Sequence, residues 1–269
     1  MFKTLLFLLL FSFTITANAQ EFGGFRPSKL WYQVETENYR IIFGKDAKEE
    51  AQQVANTFTQ MNGISPNIGD KRRKIDLVLQ DRPTRANGYV GAAPFRSEYF
   101  LNPPTDNYTL GSTNWAQLLA IHENQHVLQY SNSTYGLTKV ALLIAGDNFF
   151  GVFQRLSVPN WFMEGDAVRA ETEYGLQGRG RIPSFMNDFR QYKLEDNLPN
   201  YSIIRNGSIN KYYPNHYPLG YLMAKYGKDT YGDEFWTNVL RDATAYKGFF
   251  YPFSKALKRH SGLKVKEFY

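Results

Sequence analysis

His122 and His126 stand four residues apart in the segment 114–130, and Glu123 directly follows the first of them. Residues i and i+4 lie on one face of an α-helix, so both imidazoles can aim at a single point only if this segment is helical. Two imidazole nitrogens suit Zn²⁺, and a carboxylate beside them can deprotonate a metal-bound water. The pattern therefore predicts a helix with a zinc site on its face; the alternative is an ordinary helix with two surface histidines.

Two histidines do not complete a catalytic zinc site, which takes three protein ligands and leaves a fourth position open. No histidine follows His126 until His216, and this excludes a third histidine close behind the first two. A glutamate on a second helix is the other solution, and residues 161–175 predict such a helix, beginning after Pro159. Four acidic residues there compete for the position: Glu164, Asp166, Glu171 and Glu173. Glu164 and Glu171 would share a helix face, whereas Asp166 is turned away by about 200°.

The first 19 residues have the composition of a secretory signal peptide. Lys3 precedes an apolar run from Leu5 to Phe13, and Ala17-Asn18-Ala19 offers the small residues that a signal peptidase accepts. Cleavage before Gln20 would leave 250 residues. The sequence therefore predicts an exported protein that is periplasmic, outer-membrane-associated or secreted.

The chain has no cysteine, which excludes a disulfide framework in an exported protein and leaves packing or a metal to stabilise it. Its net charge of +6 comes from scattered lysines and arginines, and no nucleic-acid-binding motif accompanies them. No nucleic-acid partner is therefore expected, while attraction to anionic lipid headgroups or glycans stays open.

An α+β fold is predicted, with a small N-terminal sheet and a mainly helical C-terminal part. Segments 38–44 and 74–80 are predicted strands, 47–61 has apolar residues at helical spacing, and 87–104 predicts one or two further strands. Residues 20–30 are predicted to be a loose arm. The zinc-ligand helix is expected to be capped by Ser112 or Thr113 and to reach about Tyr130.

Further helices are predicted at 215–227, 229–243 and 251–260. Residues 136–153 are apolar but carry Lys139, Asp147 and Asn148, which favours a buried helix pair or helix-loop over a membrane span. The predicted division is an N-terminal α/β subdomain over 20–112 and a helical zinc-binding subdomain over 113–269. The chain ends without a polar tail, which predicts a further domain beyond residue 269.

The segments HENQHVLQ (122–129) and VPNWFMEGDAVRAE (158–171) together resemble the gluzincin metallopeptidases of the peptidase MA-like group. In that family an H-E-x-x-H helix is followed by a helix bearing W-x-x-E-G-x-A. The resemblance implies a zincin-like fold, Glu164 as the third zinc ligand, and Gly165 and Ala167 as small residues packing behind it.

Two shorter segments are also similar to this family. YPLG (217–220) is similar to a Y-x-x-G that opens a later helix in the aminopeptidase branch, which implies that the Tyr217 hydroxyl stabilises an oxyanion. GRGRIP (178–183) is similar to a segment of envelope proteins that join such a domain to a β-propeller. The resemblance thus implies a β-propeller as a candidate C-terminal partner domain.

Asn124 and Gln125 depart from the family pattern, which usually has at least one apolar residue between the histidines. The polar pair predicts either a solvent-facing position or loosened selection on the site. No Gly-x-Met-Glu-Asn-type motif for gripping a free N-terminus is present, so aminopeptidase activity is not implied. Asp166 is either a group that orients a ligand histidine or a helix N-terminal charge.

Other residues have open alternatives. His216 is either a second oxyanion donor or a surface or helix-cap histidine. Arg179 and Arg181 either grip a substrate carboxylate, lie in a solvated loop, or pair with Asp188. The segment 90–95 is either an exposed edge strand that pairs with an extended peptide or a plain core strand.

Two functions are compatible with these patterns. The first is an exported zinc endopeptidase that acts on a peptide or protein substrate. In it, Glu123 activates a metal-bound water and passes its proton to the leaving amine, and Tyr217 steadies the oxyanion. The alternative is a catalytically weak or inactive zincin-like module used for binding within a larger envelope protein. The zinc content of the purified protein separates the two.

Overall fold

The computed structural model describes residues 28–64, 68–105 and 111–269. The predicted signal peptide, and the predicted arm as far as residue 27, lie outside the described residues. Trp31–Tyr269 form one compact unit of mixed α and β structure, as the predicted α+β class requires.

One five-stranded sheet has the strand order β1-β2-β3-β5-β4. Its strands are β1 (Trp31–Glu35), β2 (Tyr39–Gly44), β3 (Ile75–Gln80), β4 (Asn87–Ala92) and β5 (Phe95–Phe100). The three central strands are parallel, and β1 and β4 lie antiparallel at the two edges. The strands predicted at 38–44, 74–80 and within 87–104 are confirmed. Strand β1 was not predicted, because all five of its residues are exposed and no buried face marks it.

Two helices, α1 (Lys48–Asn62) and α2 (Trp115–Ser131), share a core with the sheet. Alternate side chains of β3 are buried, as expected for a strand with one covered face. The α1 residues Val54 and Phe58 and the α2 residues Leu119 and Val127 belong to the same core. The sheet therefore holds α2, the helix of the histidine pair, along its length.

The remaining elements are helical. They are α3 (Gly136–Ser157), α4 (Asn160–Tyr174), α5 (Asn187–Leu194), α6 (Tyr201–Asn206), α7 (His216–Tyr231), α8 (Phe235–Thr244), α9 (Pro252–Ser261) and α10 (Val265–Phe268), with short 3₁₀ turns at Arg179–Arg181 and Pro183–Met186. The helices predicted after Pro159 and over 215–227, 229–243 and 251–260 are confirmed as α4, α7, α8 and α9. A second core of aromatic side chains, including Trp161, Phe162, Trp236 and Phe253, holds them together.

Helices α4 and α7 touch backbone to backbone. A Cβ atom added to Gly165 would lie 2.0 Å from the carbonyl carbon of Gly220, and one added to Gly220 would lie 1.9 Å from the carbonyl oxygen of Trp161. Only glycine fits at such a crossing. The close approach brings Glu164 of α4 and Tyr217 of α7 to the same side of α2.

Helix α3 corrects one prediction. It is a helix pair, because Ala145 (φ −138°, ψ 18°) and Gly146 (φ 70°, ψ −163°) interrupt it. The prediction that it is buried is wrong, since only 17% of its most apolar window is buried. By length and composition it could cross a membrane, a property that core helices share.

Candidate metal centre

Three side chains from two helices converge on one point. The Nε2 atoms of His122 and His126 are 3.2 Å apart, and Glu164 Oε2 lies 3.4 Å from the first and 3.6 Å from the second. Both histidines are buried, and Glu164 is partly buried. Among the described residues these three form the group that could hold a metal ion. Of the four acidic residues on α4, Glu164 is the one whose carboxylate approaches both Nε2 atoms.

The helix α2 begins one residue later than expected. Its N-cap is Asn114, whose side-chain oxygen accepts a hydrogen bond from the backbone N–H of Gln117 at 3.2 Å, so the predicted caps Ser112 and Thr113 are wrong. From there the helix runs unbroken through both histidines to Ser131. This regular helix is what places the two imidazoles on one face.

The histidines and carboxylates of this cluster shift one another's pKa values. Burial opposes protonation of His122, but its hydrogen bonds to Glu164 and Glu171 outweigh burial and raise its pKa to about 10. Burial alone would raise the pKa of Glu164, yet His126 and His122 hold it well below its usual range. The carboxylates thus stabilise positive charge at this point, whether as protons or as a bound cation.

His126 is oriented through a relay that ends on α4. Its Nδ1 lies 2.8 Å from Gln129 Oε1, and the Gln129 amide nitrogen donates to Asp166 Oδ2 at 2.9 Å and to the Met163 carbonyl at 3.0 Å. Because both acceptors bind the amide nitrogen, the amide oxygen of Gln129 is the atom that faces His126. His126 Nδ1 therefore carries a proton, and Nε2 faces His122 and Glu164. Asp166 orients His126 through Gln129.

His122 is oriented by a carboxylate. Its Nδ1 lies 2.5 Å from Glu171 Oε1, and Glu171 also accepts from the Arg179 guanidinium, with Arg179 Nε at 2.9 Å from Oε2. The predicted pairing of Arg179 with Asp188 is therefore wrong. Glu171 was one of the four acidic residues considered as the third ligand. Its place on the same helix face as Glu164 was the sequence signal that it lies near the histidines. The contact with Arg179 depends on the loop after α4 and has no local signature.

Glu123 lies beside the point on which His122, His126 and Glu164 converge, which we call the ligand point. One of its carboxylate oxygens makes no hydrogen bond within the described part of the chain. That oxygen is Oε2, and Glu123 as a whole is 3% exposed. Burial raises its pKa, while the two histidines act in the opposite direction. Gly88 of β4 makes room for the carboxylate, since a Cβ there would lie 3.0 Å from Glu123 Oε1 and 2.6 Å from Leu119. A buried carboxylate with a raised pKa and an unused acceptor is suited to take up a proton.

Tyr217, in the first turn of α7, lines the cavity that His122, Glu123 and Glu164 also line. Burial raises the pKa of its hydroxyl, and the neighbouring charge of Glu164 and a hydrogen bond with it add to the rise. The Arg179 guanidinium lies over its ring at 5.0 Å from the centroid. Tyr217 therefore keeps its proton and can donate it in a hydrogen bond.

His216 is set apart from this group. Its Nε2 lies 2.8 Å from the side-chain nitrogen of Asn160, and it is not among the described residues that line the cavity. This position favours the capping or surface role over that of an oxyanion donor.

A cleft of about 630 Å³ opens over the ligand point. One wall is β4, from Gly88 to Ala92, which is an edge strand because, within the described part of the chain, β5 is its one neighbour. The opposite wall includes Asn148, Val152 and Arg155 of α3. Residues 90–92 of the segment 90–95 belong to this edge strand, and its pairing with an extended peptide stays a prediction.

Asn124 and Gln125 do not face solvent. Both are buried; the Tyr39 hydroxyl donates to Asn124 Oδ1, and Gln125 Nε2 donates to Asp166 Oδ2 at 2.6 Å. The solvent-facing interpretation is therefore wrong. Gln125 joins the same carboxylate that holds Gln129, so it belongs to the support of the histidine pair.

Glu171 makes stability depend on pH. It is fully buried, and although burial raises its pKa, Arg179 and the hydrogen bond with His122 lower it to about 2. A depressed carboxylate pKa stabilises the fold above the unfolded value near 4.5, and this contribution is lost as pH falls toward 2. We expect it to reach ~3 kcal/mol at neutral pH, from the size of the shift.

Urea unfolding of metal-free protein across pH 7 to 3 would measure this contribution, with Glu171→Gln as the comparison. The variant should be less stable at neutral pH, and its difference from wild type should shrink as pH falls through ~4. A difference that stays constant over this range would contradict the assignment.

Comparison with known proteins does not assign this chain to a family. No protein-family model matches it, and no curated protein matches it. Among solved structures it is similar to a functionally unknown conserved protein from Bacillus anthracis str. Ames, with 13% identity, a TM-score of 0.40 and 86% of this chain covered. A mutant of a functionally unknown conserved protein from the same organism matches with a TM-score of 0.39 and 13% identity. The chain spans about half the length of these solved chains, 47% of each.

Proposed function

We propose that this chain is a zinc-dependent peptidase of the gluzincin type, exported to the cell envelope and acting on a peptide or protein substrate. The observation that carries the proposal is the convergence of His122, His126 and Glu164 in a cleft, with the unpartnered carboxylate of Glu123 beside them. Two nitrogens and one carboxylate oxygen are a ligand set that catalytic zinc uses, with a position left open.

The spacing of the ligand atoms suits zinc. Tetrahedral bonds of about 2.0–2.1 Å hold neighbouring ligand atoms about 3.3–3.4 Å apart. The three separations here are 3.2, 3.4 and 3.6 Å. When bound there, zinc would supply Lewis-acid polarisation of the substrate carbonyl and would lower the pKa of water. The contacts with Glu171 and, through Gln129, with Asp166 hold the two Nδ1 atoms and aim both Nε2 atoms at the site, where a bound cation would replace any Nε2 proton.

Glu123 is proposed as the general base and acid. Its free Oε2 takes the proton from the attacking water and then delivers it to the nitrogen of the leaving amine. Burial raises its pKa, which makes the carboxylate a better proton acceptor than an exposed one. Tyr217 donates its hydroxyl hydrogen to the oxyanion of the substrate, a role supported by its place in the cleft and by its raised pKa.

The edge strand β4 suits a peptide substrate. Its residues 88–92 line the cleft and its outer side has no paired strand among the described residues, so an extended peptide could pair with it as an added strand. Small residues at Gly91 and Ala92 leave the backbone accessible. Such pairing would hold the scissile bond over the ligand point largely through main-chain contacts.

Zinc analysis and hydrolysis together test the proposal. Purified protein should contain stoichiometric zinc, and removal of the metal by a chelator should abolish cleavage of a peptide library, with activity restored by Zn²⁺ and not by Mg²⁺. Protein that cannot take up zinc would overturn the proposal. Protein that binds zinc but cleaves nothing in the library would support the binding module instead.

A further inference from the structure

A second surface of the molecule is apolar and exposed. We call it the apolar face, and its members are Val140, Leu143, Ile144, Phe149, Val152, Leu156, Phe249, Phe250 and Tyr251. Leu143 is 74% exposed, Ile144 80% and Phe250 70%. Single exposed apolar residues are ordinary, but a cluster of large ones marks an interaction site.

The bend in α3 turns part of this face into a projecting tip. Gly136 packs against Ala245, and the carbonyl of Phe153 accepts a hydrogen bond from the Tyr246 hydroxyl at 2.7 Å. A straight helix would hold residues 136 and 153 about 26 Å apart, yet both touch the same pair of adjacent residues. The two halves therefore bend back toward each other, and the exposed residues before Gly146 lie at the turn.

The loop after α8 presents the aromatic part of the face. Tyr246, Phe249 and Tyr251 all have positive φ, at 57°, 57° and 52°. This conformation is disfavoured for residues with a Cβ and is retained where it serves a purpose. Tyr251 lines a small cavity with Leu156, so the loop and the second half of α3 form one continuous surface.

The chain segment that carries the aromatic part of the face is basic, and we call residues 243–266 the basic border. Residues 243–266 contain six lysines and arginines and no acidic residue. Asp242, just before them, is paired with Lys247 at 2.6 Å and Arg259 at 2.7 Å, and Asp147 of α3 is paired with Arg73 at 3.1 Å. Glu267 follows the segment and lies 3.9 Å from Lys264. Six basic residues against Asp242 and Glu267 leave an excess of four positive charges over 242–267.

We propose that the apolar face docks onto an anionic lipid bilayer, with its leucine, isoleucine and phenylalanine side chains in the interface and the basic border against the headgroups. Apolar and aromatic residues beside lysines and arginines are the composition of surfaces that lie in the membrane interface. Apolar side chains that are more than half exposed, beside an excess of positive charge, match the composition of an anionic bilayer surface. Because α3 also forms a wall of the cleft, docking places the cleft beside the membrane.

Co-sedimentation with vesicles tests this inference. Wild-type protein should pellet with vesicles of phosphatidylcholine and phosphatidylglycerol at least ~10-fold more tightly than with phosphatidylcholine alone, because the border is basic. Raising the salt concentration should weaken the binding. Replacing Leu143, Ile144, Phe249 and Phe250 together by serine should weaken it ~10-fold or more.

Leu176→Ser with Leu194→Ser is the matched control, since these residues are 91% and 87% exposed and lie outside the face. The control should bind vesicles as wild type does, and circular dichroism should show both variants folded. Wild-type protein that stays in solution with the anionic vesicles, or a serine variant that binds like wild type, overturns the inference. A dimer that the serine variant dissociates, without any vesicle binding, would assign the face to a second copy of the chain.

Docking of the apolar face onto a bilayer does not depend on the proposed function. Vesicle binding is measured without a substrate, and it should be the same for zinc-loaded and zinc-free protein. Protein that binds vesicles and takes up no zinc would therefore overturn the proposed function alone.

Discussion

Glu123→Gln is expected to leave zinc bound and to lower kcat/KM for peptide hydrolysis by ~10³-fold, within the range of general acid–base catalysis. Glutamine keeps the shape of the side chain, so the packing against Gly88 and Leu119 is retained. It cannot accept the proton of the attacking water. The ligand atoms are on other residues, so zinc content should not change.

The measurement compares the initial rate of cleavage of one library-derived peptide with the zinc content of the same sample. Glu98→Gln is a suitable control because Glu98 is a partly buried carboxylate that is not among the described residues lining the cleft. It should cleave at the wild-type rate. A Glu123→Gln protein that cleaves as fast as wild type would show that another group moves the proton.

Gly165→Ala is expected to have the largest effect on the fold. The added methyl would lie 2.0 Å from one backbone atom of Gly220 and 2.4 Å from another, and backbone cannot give way as a flexible side chain can. Helices α4 and α7 would have to move apart, at a cost of ~3 kcal/mol or more of unfolding free energy. The same movement would displace Glu164 and Tyr217, so zinc affinity should fall with stability.

Thermal unfolding and zinc titration of the variant would measure both effects. Gly63→Ala is the control, since Gly63 has an ordinary φ of −81° and a Cβ there would make only a 3.6 Å contact. It should change stability little. A Gly165→Ala protein with wild-type stability and zinc affinity would mean that the two helices are not held together by this contact.

Much of the fold was predictable because its patterns are local. The alternation in β3 and the helical spacing in α1 each report a face that the neighbouring layer covers. Helix α3 shows the limit of this reasoning. Its residues are apolar enough for a core, yet most are exposed, because burial depends on what packs against a segment and not on its composition.

Part of the candidate site likewise follows from local sequence patterns, and the rest depends on how the helices pack. The positions of His122, Glu123 and His126 on one helix follow from their spacing, and the helix of Glu164 follows from its own pattern. Which acidic residue reaches the histidines depends on how α4 crosses α2. A solvent-facing position was one of two alternatives for Asn124 and Gln125, and they are buried, where Tyr39 of the sheet and Asp166 of α4 form hydrogen bonds with them.

By itself the sequence determined which residues can share a helix face, since the α-helix repeats at a set interval whatever surrounds it. It thereby specified the histidine pair and the glutamate beside it. Only the tertiary structure decided that Glu171 and Gln129 hold the two imidazoles, that β4 is an edge beside the cleft, and that one face of α3 stays uncovered. Each of these depends on contacts between segments far apart in the chain, and such contacts form only when close packing brings the segments together.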